Sequence, residues 1–298
     1  MWKVKLILLA IFLMPVEPTP VPRKPVEAVS ELWLDVSIGA PLVDWFNNAA
    51  RPTDIARLDN TTQLNLLDEI TIGRKLLVFK SYTEAERLLP DIADKVDIIG
   101  YNLEHNTASP ADEQANPVAS VQRMRDLADE YDLTLAFGPD HDFALSHGVA
   151  IAPYVDIFVL QVQRVQTEPQ TVYDFVLPLI PQLREANPDL KVSIQVRTEG
   201  DVAAIADLVE SLKDELDGVS ILTSPDTVPV AEDLVEELRR RTPATTPNAA
   251  LTAVPDGTTG ETAVGDNEPG RLIRGGVILA CAVGVGLTVF LLLSRDNR

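Results

Sequence analysis

Asp97-Ile98-Ile99-Gly100-Tyr101-Asn102-Leu103-Glu104-His105 reads as a buried β-strand that turns polar at its carboxyl end. Alternate side chains of a strand face opposite ways, so Gly100, Asn102 and Glu104 share one face and Ile99, Tyr101 and Leu103 share the other. In α/β proteins the carboxyl ends of strands are where active sites are assembled. Glu104 is therefore either a group that does chemistry or one that lines a polar hollow.

Outward from this stretch the chain alternates apolar runs with amphipathic ones. Candidate strands are Leu32–Ile38, Leu76–Lys80, Asp97–Tyr101, Leu133–Gly138, Asp156–Gln163, Val192–Arg197 and Val219–Thr223. Candidate helices are Thr62–Ile70, Thr83–Ala93, Pro117–Tyr131, Asp142–Ala150, Gln170–Ala186, Val202–Leu216 and Val228–Arg240. Thr83 with Glu86 fits a capping box, and Pro117 suits a first helical turn. Pro178 and Pro181 predict a kink or break inside the Gln170–Ala186 helix. Repeated strand-then-helix units imply a parallel sheet with right-handed crossovers. The expected fold is α/β, a (β/α) TIM-type barrel with seven or eight parallel strands; Asp54–Leu58 is the candidate eighth. An open doubly wound sheet is the alternative, and no Gly-rich phosphate loop follows any strand to support it.

In a closed barrel one side-chain set meets the helices and the other fills the interior. Placing the bulky apolar set outward sends Leu34, Val36, Ile38, Leu77, Phe79, Phe158, Leu160, Val162, Val192, Ile194 and Val196 toward the helices. Trp33, Asp35, Ser37, Val78, Lys80, Gly100, Asn102, Glu104, Gln161, Gln163, Ser193, Gln195 and Arg197 then point inward. An ordinary barrel interior is filled by branched apolar residues. Each buried polar group left unpaired costs about 1–3 kcal/mol. This interior therefore needs a ligand, or an internal network such as Asp35–Lys80 and Glu104–Arg197. Carboxamides and carboxylates at strand ends suit a hydroxyl-rich ligand, and Asp35, Lys80, Asn102, His105, Gln161, Gln163, Gln195 and Arg197 are its candidate contacts.

Glycoside hydrolysis needs an acid beside the glycosidic oxygen and usually a second carboxylate. Glu104 is the candidate acid. Asp140, in Gly138-Pro139-Asp140-His141-Asp142 after the next strand, is the candidate second group, with Asp35 and Asp226 as further partners. Trp45, Phe46 and Tyr82 are candidate sugar-stacking aromatics. A metal-dependent hydrolase built on His105, Asp140 and His141 is a further alternative, but no H-x-H or H-E-x-x-H spacing supports it. Neither a metal site nor a cofactor is expected. A non-catalytic surface module binding glycan or protein would need the same polar mouth without a tuned acid.

Asp97-x-x-Gly100-x-Asn102-x-Glu104 resembles the D-x-x-D-x-D-x-E strand of family 18 glycoside hydrolases. The resemblance implies a proton-donor role for Glu104. Gly100 and Asn102 replace the two aspartates that in that family polarise the acid and the substrate acetamido group. A second resemblance covers about residues 95–240. The run Tyr101-x-x-Glu104-His105-x-Thr107-x-x-Pro110-x-x-Glu113-Gln114-x-x-Pro117-Val118, with Gly138-Pro139-Asp140 and Gln161-x-Gln163, looks like uncharacterised exported barrel proteins of bacteria and archaea. Those usually carry Trp where Asn106 stands. The resemblance implies fold and export, not a reaction.

The chain has 298 residues and a formal net charge of −20, which argues against nucleic acid as a partner, because phosphate binding needs a basic face. Lys3 and Lys5 before the apolar Leu6–Met14 run give the layout of a secretory signal over residues 1–15. A Pro-rich linker (16–30) leads into the barrel domain (31–241). A Thr/Pro/Ala/Gly linker expected to be disordered (242–270) follows, then a transmembrane helix (271–294) and a cytoplasmic tail (295–298). The expected location is the cell membrane, single-pass, with the barrel outside and polysaccharide or wall glycan as its partner. The lone Cys281 falls in the membrane run, so the barrel is expected to stand on its hydrophobic core without disulfides.

Overall fold

In the computed structural model, which describes residues 31–242, eight parallel strands close into a barrel in simple sequence order. They are β1 (Trp33–Ser37), β2 (Ile55–Leu58), β3 (Arg74–Phe79), β4 (Ile98–Tyr101), β5 (Thr134–Phe137), β6 (Ile157–Gln161), β7 (Lys191–Arg197) and β8 (Gly218–Leu222). The short β2 is the eighth strand that the Asp54–Leu58 segment offered, and β8 pairs back onto β1 through Leu34↔Val219. The expected signal segment and first linker, and nearly all of the expected second linker, membrane helix and tail, with Cys281, lie outside the described residues. Among the described residues no helix is long and apolar enough to cross a membrane.

The helices are α1 (Val43–Ala49), α2 (Tyr82–Ile92), α3 (Ala111–Ala115), α4 (Pro117–Glu130), α5 (His141–Ile151), α6 (Pro169–Ala186), α7 (Val202–Leu212) and α8 (Val228–Arg241). Three local expectations are corrected. The Thr62–Ile70 segment is a 3₁₀ stretch, Thr61–Asp68, in keeping with its poor helix formers Thr61, Thr62 and Asn65. The cap of α2 is Ser81, whose hydroxyl accepts from the Glu84 amide at 3.2 Å, so Thr83 starts no capping box. The α6 helix runs unbroken through Pro178 and Pro181. Both prolines are exposed, so the carbonyls they leave unbonded face water, where the loss is small.

The outward apolar set packs as one continuous shell against the helices. The inward set splits by height. Low in the barrel, Trp33, Ile55, Leu76, Val78, Ile98, Ala136, Ile157 and Val159 form a separate apolar cluster. Trp33 lies across Gly218, where an added Cβ would sit 2.2 Å from the indole. Along the strands these residues stack in layers drawn from alternate strands, as expected for this architecture. Ile55, Ile98 and Ile157 share one layer with Gly218. The amino-terminal rim is stitched by a recurring aspartate, placed just before every second strand. Asp54, Asp97, Asp156 and Asp217 accept the amides of Leu34, Lys75, Leu135 and Val192 at 3.0, 2.8, 2.8 and 2.9 Å. Each of those amides belongs to the second residue of the preceding strand, so the barrel is tied as four strand pairs.

Candidate functional site

At the carboxyl pole the apolar floor gives way to a hollow of about 240 Å³. Leu76, Val78, Ala136 and Val159 form its base, and Gly100 packs close against Leu76 and Val78, where an added Cβ would sit 3.0 and 3.1 Å from their side chains. Its polar wall is Asp35 from β1, Arg57 and Asp59 from and after β2, Lys80 following β3, Asn102 and Glu104 following β4, Gln161 and Gln163 from and after β6, and Gln195 from β7. Seven of the expected contact and catalytic residues therefore converge. Arg197, His105 and Asp140 do not join that lining. Arg197 is half exposed and faces Glu199 at 3.9 Å.

Asp35 and Arg57 are the buried electrostatic centre. Arg57 Nη1 donates to Asp35 Oδ2 at 2.7 Å, Nε donates to Asp59 Oδ1 at 2.7 Å, and Nη2 donates to the Ile221 carbonyl at 3.2 Å. Ser220 Oγ also donates to Asp35 Oδ2, at 2.7 Å. Burial pushes the Asp35 carboxyl above its ordinary value, against the opposing pull of Arg57 and the Ser220 hydrogen bond. Burial opposes the charge on Arg57 too, but Asp35 and Asp59 outweigh it and hold the guanidinium above its ordinary value. The Asp35–Lys80 and Glu104–Arg197 pairs considered from the sequence do not form. Arg57 takes the place of Lys80 at Asp35, and it escaped the sequence reading because β2 is four residues long with the arginine near its end.

Glu104 is held by carboxamides. Gln161 Nε2 donates to its Oε1 at 3.3 Å, and Asn106 Nδ2 donates to its Oε2 at 2.5 Å. Gln161 also donates to the Gly138 carbonyl at 2.9 Å and accepts from Gln163 Nε2 at 2.9 Å. The glutamate head is thus fixed at the cavity edge by a relay running from β6 to the loop after β4.

Asp140 is the N-cap of α5. Its Oδ1 accepts from the Phe143 amide at 3.0 Å, and its Oδ2 from the His105 amide at 2.7 Å, with His105 Nδ1 at 2.8 Å. Burial pushes the Asp140 carboxyl up, but the two amides and the imidazole together leave it below its ordinary value. The His105 ring stacks on Phe143, with centroids 3.8 Å apart and planes 5° from parallel. Asp140 and His105 therefore latch the β4 loop to α5. His141 packs against Phe175, and among the described residues no three His, Cys, Asp or Glu side chains gather as a metal site would. The candidate stacking aromatics also lie off the lining. Phe46 is in the core, Trp45 packs against it, and the Tyr82 ring sits under the Arg123 guanidinium at 3.9 Å. Glu113, part of the run shared with exported barrel proteins, is buried. It accepts from Tyr101 OH at 2.5 Å and from the Tyr82 amide at 3.1 Å, which is a structural duty.

The chain matches no known protein family, and no curated protein matches it. Similar solved structures include 3-keto-L-gulonate-6-phosphate decarboxylase from Vibrio cholerae, at 11% identity and TM-score 0.46, covering 72% of this chain and 100% of that one. A DUF72 family protein from Enterococcus faecalis has 11% identity and TM-score 0.45, covering 70% and 96%. A Schiff-base-forming fructose-1,6-bisphosphate aldolase has 11% identity and TM-score 0.45, covering 70% and 92%. None of the three bears on what this chain binds.

Proposed function

We propose that the barrel mouth binds a carbohydrate, that Glu104 is the proton donor to its glycosidic oxygen, and that the domain is displayed outside the cell membrane on the C-terminal helix read at residues 271–294. The observation that carries the reading is a set of acceptors without donors. Asp35 Oδ1, Asn102 Oδ1 and Gln163 Oε1 are sheltered from solvent, belong to residues lining one cavity, and receive no hydrogen bond from the described protein. Leaving each unmet costs about 1–3 kcal/mol. Sugar hydroxyls supply donors in that number, while the apolar base suits the face of a sugar ring. At about 240 Å³ the hollow suits one ring set deep rather than a whole chain. Glu104 stands at its edge, on the strand that resembles the family 18 proton-donor strand.

A binding module without turnover is the second reading, favoured by two observations. Both oxygens of Glu104 already accept from carboxamides. Asp140, the expected second carboxylate, is engaged as a helix cap, and the other carboxylates of the lining, Asp35 and Asp59, are tied to Arg57. Turnover and affinity of the full-length chain and of Glu104→Gln on a broad glycan panel separate the two. A hydrolase loses its rate in the variant. A binder keeps its affinity and turns over nothing in either form. No binding by either protein ends the carbohydrate reading.

A further inference from the structure

We infer that the sugar taken by this site is acidic, a uronic acid whose carboxylate rests against Lys80 and Asn102. The inference rests on the carbohydrate reading above and adds its charge. Phe79 and Tyr101 are register partners on β3 and β4, so Lys80 and Asn102, the next residues, stand side by side where the strands open. Both line the cavity.

The lining holds two cations, and they are unlike. Arg57 is spent between Asp35 and Asp59. Lys80 lies within ion-pair distance of no carboxylate among the described residues. Beside it, Asn102 Nδ2 donates to no group of the described protein, while its Oδ1, which lacks a donor, is left for a sugar hydroxyl. On the same wall Glu104 faces carboxamides only, so the site holds a cation and an anion that are not paired with each other.

An ammonium with three donors beside a carboxamide N–H matches a single carboxylate. A phosphate would bring a larger charge to one point cation. The spacing fits as well. Asn102 and Glu104 are two residues apart, roughly 6.6 Å along an extended chain, about the breadth of one pyranose ring. A carboxylate at Lys80 and a glycosidic oxygen at Glu104 can then belong to the same sugar.

Titration calorimetry on the purified full-length chain tests this, with oligosaccharides of glucuronic and galacturonic acid set against neutral oligosaccharides of glucose and galactose. The expected result is tighter uronate binding on the order of tenfold or more, the usual weight of a hydrogen bond to a charged group. Lys80→Met erases that preference and Lys80→Arg retains it, with thermal melting confirming that both variants fold. Equal affinity for charged and neutral sugars overturns the inference and leaves the carbohydrate reading standing. A preference that survives in Lys80→Met also overturns it. Binding of neither class overturns both.

Discussion

Arg57 shows how one side chain sets the character of this barrel. It is almost wholly buried and carries the charge that compensates Asp35, so removing it strands a carboxylate among Ser220, Ser193 and the strand backbones. Arg57→Leu is expected to cost about 3–5 kcal/mol, the range for breaking a buried pair from one side. The double variant Arg57→Leu/Asp35→Asn should recover most of it, because the orphaned charge is gone. Urea denaturation of the two proteins checks this, and equal losses would refute it. Asp140 is a milder case with a pH signature. Its carboxyl is lower in the folded chain than its ordinary 3.8, so the stability it contributes is fully present above that value and is lost as pH falls through the folded one. Asp140→Ala should cost about 1–2 kcal/mol near neutrality, as for other helix caps, and the deficit should shrink toward acid pH. A deficit that does not change with pH would show that the carboxylate charge is not what matters. The cap was legible in advance, since an Asp three residues before Phe143 marks a helix start. A search for paired acids assigned it chemistry instead.

Among the elements, the strands legible in the sequence were those with alternating bulky residues. In β4, β6 and β7 the apolar set faces the helices and the polar set meets at the mouth, because a period of two leaves only one way to bury Ile99, Leu160 and Ile194. The short β2 resisted that logic, and with it Arg57 and Asp59. The stitching aspartates were also hidden. Asp54-Ile55, Asp97-Ile98, Asp156-Ile157 and Asp217-Gly218 recur at intervals of 43, 59 and 61 residues, too long for the strand period and too uneven for a tandem repeat. Their common duty emerges only when the preceding strand's second amide is placed against them. Asp97 is the most informative of the four to remove, because Asp54, Asp156 and Asp217 also form ion pairs with Arg239, Arg125 and Arg184, whereas Asp97 takes the Lys75 amide and forms no ion pair among the described residues. Asp97→Ala should cost about 0.5–1.5 kcal/mol, the net worth of one hydrogen bond at an exposed site, and it should speed exchange of the Lys75 amide more than that of Leu135 or Val192. Hydrogen exchange resolved by residue measures this, and uniform acceleration around the barrel would argue against pairwise stitching.

For the whole molecule the dominant quantity is charge. The chain carries a formal −20, all of it on the barrel domain, while the described ion pairs include many at the surface, such as Arg240–Glu237 and Lys95–Asp68. Salt acts on these two features in opposite directions. Exposed pairs contribute about 0–1 kcal/mol each and weaken as salt rises. Repulsion among the excess carboxylates destabilises the compact state and is relieved by the same ions. The buried Arg57–Asp35 and Arg239–Asp54 pairs are screened far less and enter neither side. Unpaired acids outnumber exposed pairs, so repulsion should win. Raising sodium chloride from about 10 mM, where the Debye length is about 30 Å, to about 150 mM, where it is about 8 Å, should therefore stabilise the fold. A gain on the order of 1 kcal/mol corresponds to about 2–4 °C in melting temperature for a domain of this size. The same screening should weaken uronate binding at Lys80 while leaving neutral sugars unaffected, since only the former depends on a charge at the cavity mouth. Calorimetric melting and sugar titration at the two salt concentrations test both halves. A melting temperature that falls with salt would mean that the surface pairs outweigh the excess acids.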